Sequence, residues 1–79
     1  VDVRSGEEYR RFHIRYAVNI PYEPGKDWDL PEEKEIVVYC ERGATSMAAV
    51  REMIRQGYRA LSVAGGITEY KGRNLVFSE

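Results

Sequence analysis

Ile36-Val37-Val38-Tyr39-Cys40 is the longest unbroken apolar run in the chain, and it ends on the chain's one cysteine. The run does not alternate between apolar and polar residues, which is the pattern of a parallel strand buried on both faces. Glu41-Arg42-Gly43 follows, and then Met47, Val50, Met53 and Ile54 recur at helical spacing. That spacing predicts a helix over about 45–56 with those four residues on its core face. Gly57 is placed to close the helix as a left-handed cap. Ala60 to Val63 then reads as another strand. A strand, a crossover helix and a second strand make a parallel unit, so the chain is confined to the α/β class.

The flanks fit that frame. Val1-Asp2-Val3 reads as a strand end. Ser5 and Glu8 are spaced as a capping box for a short helix over about 6–12, with Tyr9 and Phe12 on its apolar side. Ala17 to Ile20 is a short strand stopped by Pro21. Residues 23–35 hold six acids and two lysines (2 − 6 = −4) together with Pro24, Gly25 and Pro31. This zone reads as a solvated connection with at most a turn of helix in it. Gly65-Gly66 turns the chain, and a last short helix over about 67–71 ends at Gly72. The expectation is one domain over residues 1–79, with a small, mostly parallel sheet and helices on both faces.

Length and charge exclude several functions. Seventy-nine residues support one small core, with only about 60% of the unfolded surface buried. Twelve basic against thirteen acidic residues give a net charge of −1, which argues against a nucleic-acid binder driven by bulk charge. A membrane helix needs about 20 apolar residues, and the longest run here is five. No signal-peptide pattern is present, and a cytoplasmic location is expected. One cysteine permits no internal disulfide, and with a single histidine, His13, no metal site is expected. No cofactor is expected either. The first residue is Val1 rather than Met, which fits a fragment or a trimmed chain.

Chemistry concentrates at Cys40. Ligands of parallel α/β sheets bind beyond the carboxyl ends of the strands. A glycine-containing loop between a strand and a helix turns N–H groups inward, and the helix N-terminus adds partial positive charge. Such a cradle favours an anion, here the thiolate of Cys40, whose pKa is expected to fall. The plainer alternative is a buried, inert cysteine. A cysteine phosphatase would need an arginine six residues after the nucleophile, where this chain has Ser46. A thiol protease would need an oriented base, and His13 is the single candidate, better read as structural. What remains is a thiolate with no obligatory base, suited to attack on a soft electrophile such as sulfur.

Several segments carry a family likeness. Val1-Asp2-Val3-Arg4 with Glu8-Tyr9 resembles the opening motif of rhodanese domains, and His13 to Pro21 resembles their His-Ile…Ala-x-Asn-Ile-Pro stretch. Ile36 to Ser46 is similar to their active strand and six-residue loop. Gly57-Tyr58 and Val63-Ala64-Gly65-Gly66-Ile67 match their closing segments. The likeness covers about residues 1–72. It implies a rhodanese-like α/β fold and sulfurtransferase chemistry of the thiosulfate:cyanide type, in which Cys40 takes a sulfane sulfur as a persulfide and passes it on.

By the same resemblance, the amides of Arg42, Gly43, Ala44, Thr45 and Ser46 hold the persulfide, the Thr45 hydroxyl touches it, and Arg42 meets anionic donors. Arg4 and Glu41 stand beside the loop, Arg4 facing it and Glu41 on the rim towards solvent. The implied partners are a small sulfur donor, thiosulfate or a persulfide, and a thiol or cyanide acceptor, with a protein acceptor also compatible. Neither nucleic acid nor membrane is implied. A second expectation, of a different class, is a relay module that carries persulfide with little thiosulfate turnover. A third, a phosphate- or arsenate-active relative, is disfavoured by the loop length and by Ser46. The chain departs from the family pattern where the usual first strand and helix are missing, in the short Pro21–Glu35 connection, and at Phe12, Tyr16 and Tyr70. Asp2 and Arg4 are expected to pair, Met47 and Met53 to be core, and Arg51, Arg55 and Arg59 to lie on a solvated face. For Trp28, core and partner surface are both open.

Overall fold

The computed structural model describes residues 1–72 and 75–77. Its elements are α1 (Gly6–Arg11), β1 (Phe12–Ile14), β2 (Glu35–Val38), α2 (Ala44–Arg55), β3 (Arg59–Ser62), a 3-10 turn (Ile67–Glu69) and β4 (Leu75–Phe77). Strand β2 pairs in parallel with β3, Ile36 opposite Ala60 and Val38 opposite Ser62. Asp2 bridges in parallel to Tyr39 on one side and Asn19 on the other. The four predicted strand segments therefore stand side by side as the 19, 2, β2 and β3 rows. The first two are reduced to single bridges, held by Val3 N–H to Tyr39 O (3.0 Å) and Asp2 N–H to Val18 O (2.8 Å). A second, antiparallel pair joins β1 to β4.

The capping signals act as predicted, while Phe12, expected on the apolar side of the first helix, turns to extended backbone and opens β1. The Ser5 hydroxyl accepts from the Glu8 N–H while Glu8 reaches back to Ser5, completing the capping box of α1. Gly57, at φ 98°, ends α2 in the left-handed region. The expected helix over 67–71 is a single 3-10 turn that stops at Glu69.

Two expectations about burial are corrected. Strand β2 is not buried on both faces: Ile36 and Val38 are buried, while Glu35 and Val37 are exposed, Val37 at 46%. Helix α2 covers the face of Ile36 and Val38. Among the described residues the other face leaves Val37 and Leu61 open, so the apolar run reflects β-propensity as much as burial. In α2 the buried seam is Ser46, Ala49, Val50 and Met53, an i, i+3, i+4, i+7 set. Met47 and Ile54 lie beside that seam, 54% and 55% exposed, so Met47 is not core while Met53 is fully buried.

Trp28 belongs to the core, 3% exposed and stacked near Tyr22. The connection that carries it has no regular element, yet it is tied to α2. The Gly25 N–H donates to Glu52, and the Gln56 side chain donates to the Lys26 carbonyl. The Tyr58 hydroxyl accepts from the Leu30 N–H. A buried tryptophan thus replaces a helix as the anchor of this segment.

Candidate active site

Cys40 lies one residue past the Tyr39 bridge, and the chain bends there into Glu41-Arg42-Gly43 before α2 begins. Gly43 adopts φ 106°, a left-handed conformation that points its N–H back at the sulfur. The Gly43 N–H donates to Sγ at 3.0 Å and the Ser46 N–H, in the first turn of α2, donates at 3.3 Å. The Ser46 hydroxyl stands 3.5 Å from Sγ, 3.1 Å from the Gly43 carbonyl oxygen and 2.6 Å from the Ser62 hydroxyl. Cys40 is 4% exposed and Ser46 is fully buried.

These contacts decide the ionisation of the thiol. Burial raises its pKa. The Ser46 hydroxyl and the N–H groups of Ser46, Gly43 and Arg42 outweigh burial and hold it below the ordinary cysteine value. The helix N-terminus acts in the same direction. The arrangement stabilises a sulfur anion at one point, with no base in contact with it among the described residues.

The loop is braced from behind by the Gly65-Gly66 turn. Ile67 N–H donates to the Cys40 carbonyl (2.9 Å) and Thr68 N–H to the Glu41 carbonyl (3.1 Å). Gly66 has φ 63°, and a Cβ there would lie 2.5 Å from the Cys40 carbonyl oxygen, so no side chain fits.

Above Cys40 opens a cleft of about 420 Å³ whose lining includes Arg4, Glu8, Tyr22, Glu41 and Thr45. Arg4 is buried and paired with Asp2 at 2.8 Å. It also donates to the Phe12 carbonyl (2.6 Å) and to Glu41 (3.3 Å). Arg4 thus pairs with Asp2 and also borders the cleft. Glu41 is half exposed on the rim and held by Arg4 rather than free in solvent. Thr45 lines the cleft. Arg42 and Ala44 are exposed and do not line it; the hydrogen bonds to the sulfur come from the Gly43 and Ser46 N–H groups. His13 stacks on Tyr9 (centroids 3.7 Å apart) and donates from Nδ1 to the Tyr9 carbonyl, a structural role away from the cleft.

Sequence reasoning missed Ser62, Glu8 and Tyr22. Ser62 is a serine at the carboxyl end of the strand next to β2, a position that could have been read from the parallel register. Glu8 was fully explained by its capping bond, which hid its second role at the cleft. Tyr22 gave no local signal.

The family model described as rhodanese-like domain matches residues 1–73. The chain belongs to the rhodanese-like domain family. It is 35% identical over 71 residues to a tRNA sulfurtransferase of Desulfurococcus amylolyticus, covering 90% of this chain and 14% of that protein. It is 32% identical over 78 residues to a sulfurtransferase of Allochromatium vinosum, covering 95% of this chain and 73% of that protein. The solved structure of a rhodanese-related protein from Thermoplasma volcanium superposes with a TM-score of 0.87 at 32% identity, covering 96% of this chain and 80% of that one. The α/β rhodanese-like fold expected from the sequence is thereby found.

Proposed function

We propose that the protein is a sulfurtransferase that moves a sulfane sulfur through a persulfide on Cys40. The observation that carries this reading is the cradle at Sγ: two N–H donors within 3.3 Å, the Ser46 hydroxyl beside them, and no base in contact among the described residues. The Cys40 thiolate attacks the terminal sulfur of thiosulfate. The Sγ–S bond forms, the sulfur–sulfur bond of the donor breaks, and its electron pair leaves on sulfite. A thiolate or cyanide acceptor then attacks the outer sulfur, and the pair returns to Sγ. The Gly43 and Ser46 amides, pre-aimed at the sulfur, stabilise the anion in both steps without reorganisation. Thr45 borders the path of the incoming molecule.

A relay reading, in which the domain carries persulfide between partners, is favoured by one comparison: the chain spans 14% of the tRNA sulfurtransferase it resembles, so in that protein the matched stretch is one part of a longer chain. Intact mass after thiosulfate treatment tests the common step. The expected result is a gain of one sulfur atom by the parent and none by Cys40→Ser. Turnover retained by folded Cys40→Ser refutes the mechanism. Rapid thiosulfate–cyanide cycling favours the enzyme reading; loading with slow cycling and fast delivery to a thiol favours the relay.

A further inference from the structure

Resting on the sulfur-transfer reading of Cys40, we propose that the cleft selects its acceptor by charge: the preferred acceptor is a thiol carried beside a positive charge, and a thiol beside a carboxylate is disfavoured. The residues bordering the cleft include two carboxylates, Glu8 and Glu41, and one cation, Arg4. That cation is already committed. Its guanidinium donates to both Asp2 carboxylate oxygens, to the Phe12 carbonyl and to Glu41. Its charge is shared between Asp2, fully buried behind it, and Glu41 on the rim. The loop's own cation, Arg42, is exposed and absent from the lining, and the other lining residues carry no charge apart from Cys40 itself. Asp2, Glu8 and Glu41 against Arg4 leave a net charge of 1 − 3 = −2 around the cleft, so an incoming molecule meets a negative field on its way to the sulfur, and an anionic donor such as thiosulfate is slowed by it as an anionic acceptor is.

The chemical step is the same for every thiol. The acceptor thiolate attacks the outer sulfur of the Cys40 persulfide, a new sulfur–sulfur bond forms, and the Sγ–S bond breaks with its pair returning to Sγ. No oxidant or reductant is consumed. The charge elsewhere on the acceptor is what the two glutamates read. A unit charge about 4 Å from a carboxylate in water changes the encounter about fivefold, and salt screens it.

The test uses two small thiols of opposite charge, cysteamine and 3-mercaptopropionate. The chain is loaded with sodium polysulfide and desalted, and the loss of one sulfur atom is followed by intact mass, with each rate per thiolate divided by that of the same thiol with free polysulfide, which removes the difference in intrinsic nucleophilicity. Cysteamine is expected to unload Cys40 at least about tenfold faster, as two carboxylates acting together imply. The ratio should fall towards one at about 1 M salt, where the screening length is ~3 Å. Glu8→Gln and Glu41→Gln should each lower it a few-fold, and glutamine at position 8 keeps the capping box of α1. Equal rates, or a faster mercaptopropionate, overturn the charge selection and leave sulfur transfer standing. Failure of both thiols to remove sulfur overturns the charge selection and the sulfur-transfer reading together.

Discussion

Replacing Ser46 by alanine removes the hydroxyl beside the sulfur while keeping the backbone N–H that points at it. The hydroxyl has one hydrogen and three neighbours: Sγ, the Gly43 carbonyl and the Ser62 hydroxyl. With the thiol protonated, Sγ–H donates to Ser46 and Ser46 donates to Gly43. With the thiol ionised, the Ser46 hydrogen turns to the sulfur and Ser62 donates to Ser46. The ionised state gains more, because S–H is a weak donor and hydrogen bonds to charged groups are worth about 1.5–3 kcal/mol. The 3.5 Å separation and the bond lost from the neutral state place the difference at the low end, about 1.4 kcal/mol or tenfold. At a pH below the thiol's pKa, Ser46→Ala should therefore hold about tenfold less thiolate and be alkylated about tenfold more slowly by iodoacetamide. With one cysteine in the chain, each reaction is a single phase readable by intact mass. Ser62→Ala, which acts through Ser46, should move the profile in the same direction by less. If folded Ser46→Ala reacts at the parent rate from about pH 5 to 9, the hydroxyl does not hold the thiolate and the reasoning fails.

Further outcomes follow from the same geometry. Gly66→Ala puts a Cβ against the Cys40 and Glu41 backbone, and a cradle displaced by about 1 Å should lose ~10²-fold in sulfur transfer, measured beside its melting curve. Met53→Ala should cost about 2–5 kcal/mol in urea unfolding and Met47→Ala less than about 0.5, because only Met53 is buried. The folded thiol's pKa lies below that of the unfolded chain, so its contribution to stability is complete above the unfolded value and lost as pH falls through the folded one. The stability of the parent relative to Cys40→Ala should therefore rise with pH across that window; a flat difference in denaturant midpoints would contradict the lowered pKa.

What the sequence made legible was local. The capping box of Ser5 and Glu8, the Gly57 cap and the strand–loop–helix around Cys40 each depend on residues a few positions apart, and each is found. The antiparallel pairing of Phe12–Ile14 with Leu75–Phe77 was not legible, because two three-residue strands about sixty positions apart leave no periodic trace. Helix α2 was found, but its face was misread. Val50 and Met53 belong to the expected face and to the buried seam, but a buried serine does not count as apolar, so Met47 and Ile54 stand in the expectation where Ser46 and Ala49 stand in the fold. At the site, Cys40 and the amide cradle were readable from the loop, whereas Ser62, Glu8 and Tyr22 arrive from other segments and needed the folded chain to show their neighbours.

Under the proposed mechanism, the solitude of the buried thiol bears on how long cargo stays aboard. A sulfur seated on Cys40 has no second cysteine in these 79 residues onto which to collapse as a disulfide, and its 4% exposure keeps stray nucleophiles at a distance. Many thiol catalysts carry an internal resolving partner that ends each cycle on an intrinsic clock. These 79 residues hold none, so under the proposed mechanism the residence time within them is set by the concentration and the fit of whichever thiol enters the cleft.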